Sequence, residues 1–253
     1  LRRPRRGGTA VSGVDPTDSA GVPWQGRSLP TGGFEGDDGA ADAGLMRALT
    51  TGGEAEVLEH LAAARLLVPV TAVATETTEG EHGQTSDKEA DMAVLLLEHP
   101  DGRTALPVFT SMESLAAFDA SVRPVPVEAA RAAQAAISES ADLMVLDCAS
   151  EQAFEIRASM VWALAQQRPW LPAHEDPFVE QSVERACAEH PEITGTELVE
   201  GIPDGQGVLQ VRLTLVPGLQ VEEVQALVTA VAEQLATDGE LRARVDGLSF
   251  AVV

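Results

Sequence analysis

The chain has 253 residues, which allows one to two domains at about 150 residues each, and 44% of them are hydrophobic, enough for a sizeable core. Seventeen Lys and Arg stand against 40 Asp and Glu, a formal charge of -23. Such a surface repels phosphate backbones and anionic lipid and weighs against nucleic-acid and membrane-surface roles. The longest clean apolar run, Met92 to Leu97, falls far short of the roughly 18 residues of a membrane span, and no signal-peptide pattern opens the chain. Cys148 and Cys187 are widely separated and read as free thiols of a reducing compartment, so the expected location is cytoplasmic.

Residues 1–41 are rich in glycine and proline and lack sustained periodicity, which predicts a flexible arm. Within it lie Pro23-Trp24-Gln25-Gly26-Arg27-Ser28-Leu29 and then Phe34-Glu35-Gly36-Asp37-Asp38-Gly39. Large apolar side chains on an extended segment suggest docking anchors. Trp24, Arg27, Leu29, Phe34, Asp37 and Asp38 are the candidate interaction residues, either with a partner or as a clip back onto the same chain.

A first folded domain is expected over residues 42–167. Leu45, Met46 and Leu49 mark one helix, and Val57, Leu58, Leu61 and Leu66 continue at helical spacing into a second, with Thr51 and Glu54 fitting a capping box. Leu66 to Ala74 reads as a strand and Thr75 to Glu89 as a polar loop. Met92 to Glu98, Asp101-Gly102 and Arg103 to Thr110 read as a β-hairpin. Thr110 with Glu113 fits a second capping box before a helix from Ser111 to Phe118. Pro124 and Pro126 make Val122 to Val127 an edge strand. Glu128 to Glu139 is an alanine-rich helix, Leu143 to Cys148 a buried strand, and Phe154 to Arg157 a short strand before a helix ending by Gln167.

Residues 168–177 form a proline-punctuated linker, and residues 178–253 follow the order α-β-β-α-β, a small two-layer sandwich. Its long helix keeps Val221, Val224, Val228, Val231 and Leu235 on one stripe, as expected of one helix packed on three strands. The fold class is therefore α+β (mixed α/β), with an N-terminal mixed sheet flanked by helices and a smaller C-terminal sandwich.

Ala90-Asp91-Met92-Ala93-Val94, Gly102-Arg103, Ala105-Leu106-Pro107-Val108-Phe109-Thr110-Ser111, Arg123-Pro124-Val125-Pro126 and Leu143-Met144-Val145-Leu146-Asp147, read together, resemble the N-terminal domain of the SseB family, the enhanced serine sensitivity proteins, in their actinobacterial form. The resemblance spans roughly residues 22 to 165. It implies a two-part cytoplasmic protein of a family with no accepted enzymatic activity and no known cofactor, named after a growth phenotype.

Beside the resemblance, the residues offer few chemical constellations. Asp87, Asp91, Arg103, Thr110 and Ser111 are expected to converge at one sheet edge, where free N–H groups at the start of the next helix would suit an anion. Thr110 and Ser111 are equally explained as caps, and Arg103 as a cross-strand partner of an acid. Cys148 sits at a strand end like a nucleophile, but no histidine stands in a motif with it. Glu79 to His82 and His174-Glu175-Asp176 contain ligand types without a metal-ligand spacing, His99 lies next to the hairpin, and no glycine-rich loop joins a strand to a helix. The reading is a non-catalytic interaction module that binds a protein partner or a second copy, as in a homodimer. The alternative is a metabolite sensor or minor enzyme with its pocket near Asp91, Arg103 and Thr110.

Overall fold

The structure, a computed structural model, describes residues 34, 36–73, 91–98 and 102–253, with the backbone alone for residues 72, 73, 91 and 92. Two compact units, Leu1–Asp38 and Gly39–Val253, divide the chain. The second holds every helix and strand described below, so both lobes expected from the sequence lie in one unit.

Two helices open it. Helix α1 (Ala43–Thr51) is capped by Asp42, whose carboxylate accepts from Leu45 N at 2.8 Å. Helix α2 (Glu54–Ala63) starts at Gly53 with no side-chain cap, so Thr51 does not form the expected box; its hydroxyl instead donates to Arg47 O inside α1. Strand β1 (Arg65–Val73) is central to a three-stranded antiparallel sheet, between β2 (Asp91–Val94) and β5 (Arg123–Glu128). Pro69 and Pro124 face each other across it. Neither has a donor to lose to the other, and Pro124 and Pro126 lie on an edge strand as their chemistry requires.

The second sheet runs β3-β4-β6-β7, with β3 (Leu97–Glu98), β4 (Thr104–Val108), β6 (Leu143–Leu146) and β7 (Phe154–Ile156). Strands β4 and β6 are parallel, and the remaining pairs are antiparallel. The expected hairpin is therefore divided. Residues 91–94 pair with β1, and only Leu97 and Glu98 pair with β4. A bridge between Leu67 and Phe109 ties the two sheets. Helices α3 (Met112–Asp119), α4 (Ala129–Ser138) and α5 (Ala158–Ala165) complete this lobe. The small buried face of α4, Ala129, Ala132, Ala133 and Ala136, lets it pack closely into a core with Leu61, Leu106, Met144, Ile156 and Met160.

The second lobe has α6 (Pro177–Cys187), β8 (Ile193–Glu200), β9 (Val208–Leu215), α7 (Val221–Thr237), α8 (Gly239–Arg244) and β10 (Gly247–Val252). The sheet order is β10-β9-β8, with β10 parallel to β9. Val179, Val183, Val231, Leu235 and Leu241 from the three helices cover Leu209, Val211 and Leu213 on one face. On α7 the stripe shifts toward Leu227, Val231 and Leu235, and Val221 stays exposed. The short α8 escapes periodicity but starts on a strong cap, Asp238, which accepts from Glu240 N and Leu241 N. The mixed α+β class stands.

Candidate functional site

The sequence-derived pocket is spread out along β4. Arg103 precedes the strand and donates to Glu155 on β7 at 3.1 Å, whereas Thr110 and Ser111 follow its other end. Seven residues of extended chain at about 3.3 Å each put Arg103 and Thr110 roughly 20 Å apart. Asp91 pairs with Val73 at the far end of β1, in the other sheet. Asp87 lies outside the described residues, as do Trp24, Arg27 and Leu29 of the arm. Of the other arm residues, Phe34 is half-buried and its carbonyl accepts from Asp37 N, while Asp37 and Asp38 are exposed.

At the far end of β4 the polar groups are consumed by packing. Thr110 is 3% exposed; its N–H donates to Asp147 Oδ1 at 2.9 Å and its hydroxyl to Asp147 Oδ2 at 2.7 Å. The helix cap therefore falls to Ser111, which forms a reciprocal box with Ser114 rather than Thr110 with Glu113. Cys148, next to Asp147, is half-buried. Burial pushes its thiol above the ordinary range, and the neighbouring carboxylate adds to the shift.

The densest polar assembly is at the junction of the lobes, where none of the sequence candidates lies. Arg157, 8% exposed, immediately precedes α5. Its Nε donates to Asp246 Oδ2 at 3.0 Å, Nη2 to Glu54 Oε2 at 2.8 Å and Nη1 to Glu54 Oε1 and to Gly205 O. Burial opposes its charge, but the hydrogen bonds to Glu54 and Asp246 outweigh that and raise its pKa above the usual guanidinium value. Helix α5 has no cap from its own neighbourhood. Asp246, just before β10, supplies one: Oδ1 accepts from Ser159 N at 2.7 Å and Oδ2 from the Ser159 hydroxyl at 2.8 Å. Trp170 Nε1 donates to that same hydroxyl, and the Arg157 guanidinium lies 5.7 Å from the Trp170 ring centroid.

The glycine-rich turn between β8 and β9 closes over this pair. A Cβ on Gly207 would come within 2.7 Å of Arg157 Nε and would overlap Asp246 Oδ2, and its φ of +70° suits glycine. A second ionic group flanks the first. Arg168 and Arg244 both donate to Glu240 Oε1, at 2.7 and 2.9 Å, and Arg244 also donates to Asp176 Oδ2 at 2.7 Å. The proline-rich segment 168–177 is thus pinned, with Trp170 against the first core and Ala173 in the second. A cleft of about 270 Å³ remains, bordered by Glu54, Trp170, His174 and Glu200. Its central charged groups, Arg157, Glu54 and Asp246, already bond to one another, so the arrangement works as a clasp between lobes. No group of three or more His, Cys, Asp or Glu among the described residues could hold a metal ion.

Another feature is an open edge. Strand β10 has no strand on its outer side among the described residues; Leu248 is 39% and Val252 49% exposed. An apolar groove of about 250 Å³ runs beside it, between Leu248 and the ends of α7 and α8 at Leu235, Leu241 and Val245. No described helix is long and apolar enough to cross a membrane.

No curated protein and no solved structure matches the chain. A family model described as the SseB protein N-terminal domain matches residues 43–163, from α1 into α5. It takes in both sheets of the first lobe together with Glu54 and Arg157, and stops before Trp170 and Asp246. Residues 43–163 of this chain belong to the SseB protein N-terminal domain family.

Proposed function

We propose that the protein is a non-catalytic interaction module that takes up an extended, uncharged protein segment beside β10. The observation that carries this reading is the contrast among its sheet edges. Native edges are protected against pairing by charge, proline, bulges or shortness. Strand β5 has Arg123, Pro124, Pro126 and Glu128; β8 has Glu197, Glu200 and a register shift; β2 has Asp91; β3 and β7 are two and three residues long and carry Glu98 and Glu155. Strand β10 reads Gly-Leu-Ser-Phe-Ala-Val and has none of these. The chemistry-bearing groups elsewhere, Thr110, Asp147, Arg157 and Asp246, are engaged in holding the fold.

The test is native affinity capture from cells that express a tagged and an untagged copy, with wild-type chain and a Val252→Pro variant side by side. The expected result is at least one protein, the untagged copy or another, that is recovered with wild type and lost with the variant. Identical recoveries would sink the proposal.

A further inference from the structure

We infer that the segment received by β10 is β10 of a second copy, so that two chains join their C-terminal sheets edge to edge into one six-stranded sheet. This rests on the interaction reading above and deepens it by naming the partner.

The first argument is which backbone groups face outward. Val253 N donates to Leu213 O on β9. The strand period of two then turns the N–H groups of Gly247, Ser249 and Ala251 toward β9 as well, and those of Leu248, Phe250 and Val252 away from it. The outward groups therefore belong to every second residue, centred on Phe250.

The second argument is register. A two-fold axis perpendicular to the sheet and passing beside Phe250 pairs Phe250 with itself and Leu248 with Val252 of the other copy. All three are the outward-facing residues, so each pairing forms hydrogen bonds in both directions, as an antiparallel ladder requires. Leu248, Phe250 and Val252 also stand opposite Leu209, Val211 and Leu213, the core face of β9. Residues directly opposite in a ladder share a face. The same register thus makes the two helix-covered faces continuous and brings Val252 of one copy to the apolar groove beside Leu248 of the other. A shift by one residue would lose both the hydrogen bonds and the face match. The strand is self-complementary in one way only, up to shifts of two.

The third argument is charge. Two chains of formal charge -23 repel each other, and they can meet with least cost where the surface is neutral. Residues 247–253 carry no charged side chain.

The test uses the full chain. Analytical ultracentrifugation of the purified protein across the micromolar range, at about 0.15 M salt where the Debye length is about 8 Å, should show a dimer. Val252→Pro removes one outward donor and spares the ladder to β9; it should sediment as a monomer with its circular dichroism and melting temperature kept. Register is read independently by mixing Ser249→Cys protein with Ala251→Cys protein under mild oxidation. These residues face each other across the proposed axis at a non-hydrogen-bonded pair, about 4.5 Å between Cα atoms, within disulfide reach. A covalent dimer in the mixture well above that of either variant alone supports the inference. A wild-type chain that stays monomeric, or a Val252→Pro variant that stays dimeric without the mixed cross-link, overturns it. If the chain is monomeric yet native capture still loses a different protein on Val252→Pro, the second copy is the wrong partner and the interaction reading survives; unchanged capture removes both.

Discussion

Arg157 and Asp246, 89 residues apart in sequence, form one hydrogen-bonded ion pair at 3.0 Å with side chains 9% and 10% exposed. Through it the last helix of the first lobe is fastened to the last strand of the second. The same carboxylate caps α5, so one side chain contributes both to lobe association and to helix initiation. The pair lies at the start of β10, since Asp246 immediately precedes the strand whose edge is open.

Replacing one member of such a pair leaves the other charge buried without compensation. Arg157→Met should lower stability by about 3 kcal/mol, seen as a lower urea midpoint. Glu54, whose side chain is 32% exposed, can be rehydrated when its partner bonds are weakened. Glu54→Gln should therefore cost about 1 kcal/mol or less. Tryptophan emission reports the transition, since Trp170 rests on the Arg157 guanidinium. Equal midpoints for the two variants would contradict the clasp.

Two of the glycines between β8 and β9 separate strain from clash. Gly205 and Gly207 have φ of +73° and +70°, and a Cβ on Gly205 meets nothing within 4 Å. Gly205→Ala should cost only the left-handed penalty, about 1 kcal/mol. Gly207→Ala adds a collision with Asp246 and Arg157 and should cost clearly more. In an Arg157→Met background the excess should shrink, a coupling that a double-mutant cycle measures directly. Additive costs would mean that the turn does not close on the pair.

Thr110 tests whether the end of β4 is structure or pocket. Thr110→Val keeps the shape and leaves Asp147 Oδ2 without its buried donor, which should destabilise by about 1–3 kcal/mol. Thr110→Ser retains the hydroxyl and should recover most of that loss. A denaturation series of the three proteins decides. A stability-neutral Thr110→Val would free the residue for a ligand.

Much of the fold was legible in periodicity and turn chemistry. The alanine face of α4, the Pro124 and Pro126 edge strand, and the order of α6, β8, β9, α7 and β10 in the second lobe follow from local pattern, whereas the short α8 between α7 and β10 does not. The run from Met92 to Glu98 was not divisible in this way, because its apolar residues do not mark where the chain leaves one sheet for the other. Thr110 looked like a cap because nothing nearby announces Asp147, 37 residues on. The clasp was hidden for the same reason: Glu54, Arg157 and Asp246 have no shared motif, and the only local hints were an arginine between Ile156 and an apolar helix and two glycines in one turn.

Acid should loosen the flanking ionic group. The guanidiniums of Arg168 and then Arg244 hold the Glu240 carboxyl below its ordinary value. A carboxyl whose folded pKa is depressed stabilises the fold above its unfolded pKa, about 4.3, and loses that contribution as pH falls through the folded value. Wild type should therefore exceed Glu240→Gln in urea midpoint near neutral pH, and the gap should begin to shrink below about 4.3 and close as pH falls through the lower folded value. A gap that persists unchanged into strong acid would show that the carboxylate charge is not what Arg168 and Arg244 use.

The thiols test the non-catalytic reading from the chemical side. A nucleophilic cysteine needs a lowered pKa or an adjacent base. Burial raises the Cys148 thiol, with Asp147 reinforcing the shift, and burial likewise raises Cys187. At neutral pH both should be overwhelmingly protonated. Iodoacetamide should label the native protein more slowly than the urea-unfolded chain, and the native rate should still be climbing above pH of about 8.5, where a free thiol has begun to level. The group beside Cys148 is a carboxylate, which disfavours the thiolate, and not an imidazole. Rapid labelling of Cys148 near pH of about 7 would require a base that Asp147 cannot be, and would reopen the strand end of β6 as a catalytic position.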